Sequence, residues 1–415
     1  MPITLRCLSL VVVLACALSP GVHAENWPQW RGALGTGISA ERQAPLEWSA
    51  DKNVAWKVKL PGPGNSTPIV WGDNVVVTCA SSDGHERGTY CYDRSSGDLR
   101  WMRVVDYKQD EVSHKTNPAC SASPVTDGHC VVVWHGSAGV FCYDLAGKEL
   151  WRKDLGQFEH IWGVGSSPII YKNLVILNAG PGLNVGIIAL DKTSGEEIYR
   201  REFAGMQSEK ADEFRGSWST PVIYNDGARD VMLLSLPEKL RALDPATGEE
   251  IWSCGGASKL YYTSPLVSGD VIIAMCGFHG PAMAVRGGGE GDVTETHRLW
   301  LHDMKNPQRI GSGVVVDGHV YILNENGVAW CIEAESGQIL WEERLGGTAW
   351  PSAVYAAGRV YFTNVDGVVY VIDPSPKKCQ LLATNKLDEL TRASPAIAGG
   401  QIFLRTYEHL YCVSE

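Results

Sequence analysis

The alternation of apolar and polar residues changes character every few positions, but the changes recur in one order with a period of about 40 to 55 residues, the range of propellers and solenoids. Three landmarks mark each period. The first is a Ser or Thr before Pro that opens an apolar run. It stands at Thr67-Pro68, Ser123-Pro124, Ser167-Pro168, Thr220-Pro221, Ser264-Pro265 and Ser394-Pro395. Degenerate copies at Ser312-Gly313 and Ser352-Ala353 bring the series to eight. The second is a tight turn followed by β-branched residues, as in Gly72-Asp73-Asn74 before Val75-Val76-Val77, or Asp317-Gly318-His319 before Val320-Tyr321-Ile322. Turn residues that accept positive φ between strand formers signal a hairpin. The third is an acidic residue, a Gly turn and an aromatic residue: Asp93, Gly97, Trp101; Asp144, Gly147, Trp151; Asp244, Gly248, Trp252; Glu333, Gly337, Trp341; with Asp191, Gly195, Tyr199 as a variant. The Asp bonds its own turn amides, and the Trp brings a large apolar face plus an N–H for the next unit.

Each period supplies four short antiparallel strands, which is one blade of a β-propeller. The expected fold is all-β: an eight-bladed ring. The last unit, residues 394–412, ends after its third strand, whereas Trp56-Lys57-Val58-Lys59-Leu60 is a Trp-led strand with no partner. Docked as the missing outer strand, it closes the ring and removes an exposed edge. The expected organisation is a signal peptide over residues 1–24, an N-terminal strap over 25–55 running along the outside or base with Trp27, Trp30 and Trp48, and the propeller over 56–415.

Cysteine usage changes little in this picture. Cys91, Cys142, Cys331 and Cys412 fall two positions before the acidic landmark or its counterpart Ser414, a slot held elsewhere by Ala189, Ala242 and Val371. A slot shared by Cys, Ala and Val is a small buried position, since a free thiol packs as a compact hydrophobe. Cys79 with Cys91, or Cys130 with Cys142, remain pairs that could meet across a hairpin.

The formal charge of -11, without a Lys/Arg run, argues against a nucleic-acid surface. No segment is long and apolar enough to be a spanning helix. At the N-terminus, Arg6, the apolar residues 8–18 and Val22-His23-Ala24 read as an export signal. Val13-Leu14-Ala15-Cys16 also loosely matches a lipobox, which would anchor the chain through a lipid on Cys16. Both readings place the mature chain outside the cytoplasm, in the periplasm or cell envelope.

With the Asp–Gly–Trp landmark in place, the chain resembles the pyrroloquinoline-quinone-like (PQQ-like) β-propeller repeat family. Within it, the chain is similar to exported bacterial proteins resembling outer-membrane assembly factor B. Trp27-Pro28-Gln29-Trp30-Arg31-Gly32, His114-Lys115-Thr116-Asn117-Pro118, Ser217-Trp218-Ser219-Thr220-Pro221, Gly291-Asp292-Val293-Thr294 and Leu404-Arg405-Thr406 look like segments of that family. The resemblance also implies an alternative: a PQQ-dependent quinoprotein oxidoreductase or quinone-binding protein with calcium. Such enzymes are longer and carry adjacent cysteines over the quinone. This chain has no Cys-Cys pair and no C-x-x-C-H haem site.

Other chemistry finds little support. There is no G-x-S-x-G, H-E-x-x-H or Walker motif. Gly287-Gly288-Gly289-Glu290-Gly291-Asp292 lacks the EF-hand ligand pattern and reads as a long hairpin loop. One constellation stands out. The connections into the inner strands gather at one mouth of a propeller, and here they carry His114, Lys115, Asn117, His160, Trp162, Arg215, Trp218, Lys259, Tyr261 and Tyr262, then His302, Lys305, Asn306, Arg309, Trp350 and Arg392. The candidates for contact with a ligand or partner are His114, Asn117, Trp162, Arg215, Trp218, Tyr262, Trp350 and Arg392. Arg offers bidentate hydrogen bonds and Trp a stacking face, which suits a small anionic ligand or an acidic partner. The competing reading is that Trp162, Trp218 and Trp350 plug the channel and the charges face water. The sequence thus leads to an exported, monomeric, non-catalytic scaffold at the cell envelope, with no metal and no cofactor, binding an envelope protein or a small anion.

Overall fold

The computed structural model describes residues 26–302 and 309–415. The signal-peptide and lipobox readings, Lys305 and Asn306 lie outside the described residues. Eight four-stranded antiparallel blades follow one another in chain order. Blade 1 is built from Ile69–Trp71, Asn74–Ala80, Glu86–Asp93 and Leu99–Asp106, and blade 7 from Val354–Ala356, Arg359–Thr363, Val368–Asp373 and Gln380–Lys386. Blade 8 takes three strands from the C-terminus and its fourth, Val54–Lys59, from the start of the chain. That strand runs antiparallel to His409–Val413 with Trp56 opposite Cys412 and Val58 opposite Leu410. The ring is closed as the unpaired Trp-led strand requires.

The first landmark proves to be a hydrogen-bonding device. The backbone N–H of Thr67 donates to the hydroxyl of Ser123 at 2.9 Å, and that of Ser123 to Ser167 at 3.0 Å. The same link continues from Ser167 to Thr220, Thr220 to Ser264, Ser264 to Ser312, Ser312 to Ser352 and Ser352 to Ser394, all between 2.8 and 3.0 Å. A backbone amide facing the channel would otherwise be buried without a partner. Ser312 and Ser352, which lack the following Pro, keep their links, so the hydroxyl is the essential part of the landmark and the proline is dispensable.

The third landmark docks blades 1, 2, 3 and 6 on the blade that follows. The indole N–H of Trp101 donates to Leu145 O at 3.0 Å, that of Trp151 to Lys192 O at 2.7 Å, and that of Trp341 to Ser375 O at 2.9 Å. Tyr199 uses its hydroxyl in the same way on Pro245 O, at 3.0 Å. The acceptors sit in the turns that follow the acidic landmark of the next blade. The turn glycine meets the ring itself: a Cβ on Gly195, at φ +75°, would lie 2.6 Å from the Trp151 ring. The glycine therefore serves the turn and the close approach together. Trp56 and Trp300 dock identically on Arg94 O and Ala334 O.

Two segments depart from the repeat. Gly291–Asp292, inside the Gly-rich stretch, adds a fifth, parallel strand to blade 4 opposite Trp252 and Ser253. The Asp292 carboxylate holds the Thr294 amide at 3.0 Å and Lys239 Nζ at 2.9 Å. This stretch is a staple between blades 4 and 5. The N-terminal segment divides. Trp27 pairs with Val70 on blade 1, and Pro28 O accepts the Thr126 amide on blade 2. Buried Arg31 then reaches Ser312 O at 3.2 Å and Gly313 O at 2.6 Å on blade 6, and Ser39 pairs with Tyr355 on blade 7. Blades 2 and 6 face each other across the ring, so residues 27–39 cross the central channel. Trp48, farther on, stacks on Tyr361 with centroids 6.4 Å apart and takes its amide partner from Asn385 on the outermost strand of blade 7.

All ten described cysteines are free. Cys91, Cys142, Cys331 and Cys412 are fully buried. Among the described residues no helix is long and apolar enough to cross a membrane.

Candidate functional site

Above the crossing segment lies a cavity of 330 Å³ at the mouth where the inner strands begin. His114, Asn117, Trp162, Trp218, Tyr262, Trp350 and Arg392 line it, together with Asn65, Phe278 and Trp30. Trp30 belongs to the crossing segment, so the N-terminal chain, rather than the mouth tryptophans, blocks the channel beneath.

Each wall residue is held by local structure. Gly216–Ser217 and Leu260–Tyr261 form a short parallel pair, which sets the next residues, Trp218 and Tyr262, side by side at 5.2 Å between centroids. The Trp218 indole donates to Gly163 O at 2.8 Å. Trp162 leans on it at 5.8 Å. His160 is buried edge-on to Trp218 at 5.0 Å, and that burial lowers its pKa. Asn117 clips the blade 2 entry to that of blade 3 by donating to Trp162 O at 2.6 Å and Val164 O at 2.9 Å. On the opposite wall the Arg392 guanidinium lies 4.7 Å over Trp350 and 5.3 Å over Tyr407, and hydrogen-bonds the Tyr407 hydroxyl. Its Nε is buried without a partner.

Arg215 does not reach the cavity. Its guanidinium turns to Glu213 at 2.9 Å, Gly205 O at 2.8 Å and Glu238 at 3.7 Å, because a carboxylate two residues upstream offers a nearer partner than the channel does. Tyr261 is buried in the blade core, and Arg309 is buried against Gly280 O at 2.9 Å. Lys115 and Lys259 are exposed on the surface. Arg392 is thus the cation that lines the cavity among the described residues, and no Asp, Glu or Cys does so.

A smaller cleft beside Asn117 holds Cys120 and His135, with Sγ 3.3 Å from Nδ1. Burial pushes the thiol up to about 12 and, with help from Arg87, the imidazole down to about 3. Both are neutral at physiological pH, so this pair is not a thiolate–imidazolium nucleophile. Among the described residues no group of three or more His, Cys, Asp or Glu converges to hold a metal ion.

Hydroxyl-linked inner strands, Trp docking on acidic Gly turns and a borrowed closing strand define an eight-bladed propeller of the PQQ-like repeat class. The chain belongs to the family described as outer membrane protein assembly factor BamB, which matches residues 90–259 and 291–414. It is 26% identical over 157 residues to the outer membrane protein assembly factor BamB of Kangiella koreensis. That stretch is 36% of this chain and 35% of the relative, so the alignment spans about a third of the relative's length. Among solved structures, BamB from Moraxella catarrhalis superposes with a TM-score of 0.62 at 15% identity, over 87% of this chain and 97% of that one. A europium-containing methanol dehydrogenase gives 0.67 at 12% identity, over 89% and 87%. The quinohemoprotein alcohol dehydrogenase from Comamonas testosteroni gives 0.66 at 12%, over 93% and 80%. At these identities the likeness is one of fold.

Proposed function

We propose that this chain is an exported, non-catalytic propeller of the cell envelope that holds a partner segment or a small anionic ligand at its mouth. The observation that carries this reading is the cavity: aromatic side chains from several blades converge on one space, with Arg392 beside them, and the N-terminal segment blocks the way out below. A volume of 330 Å³ lies at the small end of ligand sites, which are mostly apolar with a few placed polar groups. Quinone redox catalysis has less support in the lining. A calcium ion beside a quinone needs oxygen ligands, normally carboxylates, and none lines the cavity among the described residues.

Thermal-shift screening of the purified protein with small organic anions and their neutral counterparts tests the reading. Stabilisation that rises with ligand concentration, and that is lost in Trp218→Ala or Trp350→Ala, is the expected result. A quinone absorbance band with dye-linked alcohol oxidation after reconstitution with PQQ and calcium would overturn it.

A further inference from the structure

The hydroxyl ring that links the inner strands has a second face. In each of the seven links the side-chain oxygen is the acceptor of a neighbouring amide. Among the described residues none of these hydroxyls donates its own hydrogen to a protein acceptor. Five of them, Ser123, Ser167, Thr220, Ser352 and Ser394, line the cavity together with Thr67, whose hydroxyl takes part in none of the seven links, and all six residues are at most 5% exposed. A hydroxyl whose oxygen already accepts an N–H is polarised toward donation. The base of the cavity is therefore a crown of O–H donors with no protein group to receive them. Arg392 adds its guanidinium to the lining. Glu325, which accepts the Trp350 indole N–H at 3.3 Å, is not part of the lining.

We propose that this crown, with Arg392, is an oxyanion site, and that the cavity binds a small aromatic carboxylate: carboxylate oxygens on the crown hydroxyls and the guanidinium, ring against Trp218, Tyr262 and Trp350. The proposal rests on the reading of the cavity as a binding site and names the chemistry of its ligand. A carboxylate only accepts hydrogen bonds, which matches a donor crown. A primary amide of the same shape carries two N–H donors and meets donors with donors. Aromatic walls on a single mouth favour a planar body over a compact inorganic anion, which would leave most of the apolar lining uncovered.

The test compares 2-naphthoate with 2-naphthamide by quenching of tryptophan fluorescence and by thermal shift. Naphthoate is expected to bind about tenfold more tightly, the scale of one charge-assisted hydrogen bond. Arg392→Gln is expected to weaken naphthoate about tenfold with little change for the amide. Thr67→Val is the second variant. The seven links do not use the Thr67 hydroxyl as an acceptor, so this nearly isosteric change removes a crown donor without orphaning an amide. It is expected to leave the melting temperature of the free protein in place and to weaken naphthoate about tenfold. Equal affinity for the two probes, or full naphthoate affinity in both variants, removes the oxyanion site and leaves the binding cavity standing. Failure of both probes to quench or stabilise, combined with no hit in the wider anion screen, removes both.

Discussion

The ammonium of Lys57 lies 2.8 Å from a carboxylate oxygen of Glu389, which ties the closing strand to the connection that enters the last blade. The hydroxyls of Tyr411 and Thr406 donate to the same carboxylate at 2.6 Å each, and His409 Nδ1 lies 3.0 Å away. Burial alone would raise the pKa of this carboxyl, but the hydrogen bonds, that of Lys57 foremost, hold it down at about 2. A carboxyl with a pKa lower in the folded than in the unfolded chain stabilises the fold above its unfolded pKa, and this contribution is lost as the pH falls through the folded value. Between about pH 4.5 and 2 the protein is expected to lose up to about 3 kcal/mol through this one group. Acid denaturation of Glu389→Gln checks it: that limb of the curve flattens in the variant, and an unaltered limb would refute the assignment.

The docking aromatics recur in several blades, and a unique reactive centre does not repeat in this way. Trp252 is 2% exposed, and its strand pairs with the added strand Gly291–Asp292. Trp252→Ala is expected to cost about 3–5 kcal/mol, as large-to-small changes of buried aromatics do. A melting temperature equal to that of the parent protein would contradict the structural role.

Gly195 provides a sharper test of the same joint. Alanine there would adopt φ +75° and press a methyl group into the Trp151 ring. The conformational part is worth about 1–2 kcal/mol, and overpacking adds about 1–3 kcal/mol. In a Trp151→Ala background only the conformational part remains. Denaturant unfolding of the four proteins in that cycle measures the difference, and additive costs would show that glycine and ring do not meet.

Cys91, Cys142, Cys331 and Cys412 are buried free thiols, and burial pushes the thiol of Cys331 up to about 11. Native protein is expected to leave all four unlabelled by maleimide, with labelling complete in denaturant. Replacing any one with Ala is expected to cost about 1 kcal/mol, the scale of a small change of core volume. Rapid labelling of the native state, or a melting temperature that drops under a reductant, would contradict this.

Repetition made the fold legible. Eight Ser/Thr landmarks, the aromatic dockings and the unpaired Trp56 strand could be compared with one another, and the blades follow those comparisons. The mouth was legible for the same reason, because the residues before each landmark must converge once the ring closes. Arg215 went astray because the nearby acidic partner, Glu213, outcompetes the channel. Trp30 and the path of residues 27–39 left no periodic trace, since a segment that occurs once has no copies against which to read it. The crown was visible in the sequence only as a series of strand starts. That each hydroxyl accepts the backbone N–H of the preceding landmark follows from the closed ring, which sets the inner strands side by side.

The crossing segment and the borrowed strand together set an order of events in folding. Residues 27–59 are made before any of the blades, but their partners include Ser312, Tyr355 and the strand His409–Val413. Until the last blade is made, the strand Val54–Lys59 has no neighbour to pair with, and the stack of blades before it stands with an open edge. Contacts between the two ends of a chain this long are entropically expensive and slow to form. The nascent protein thus passes through a prolonged interval with unpaired strands exposed, when aggregation competes with closure. A single late step, the arrival of the C-terminal strands, seats the outer strand and completes the walls that the crossing segment spans.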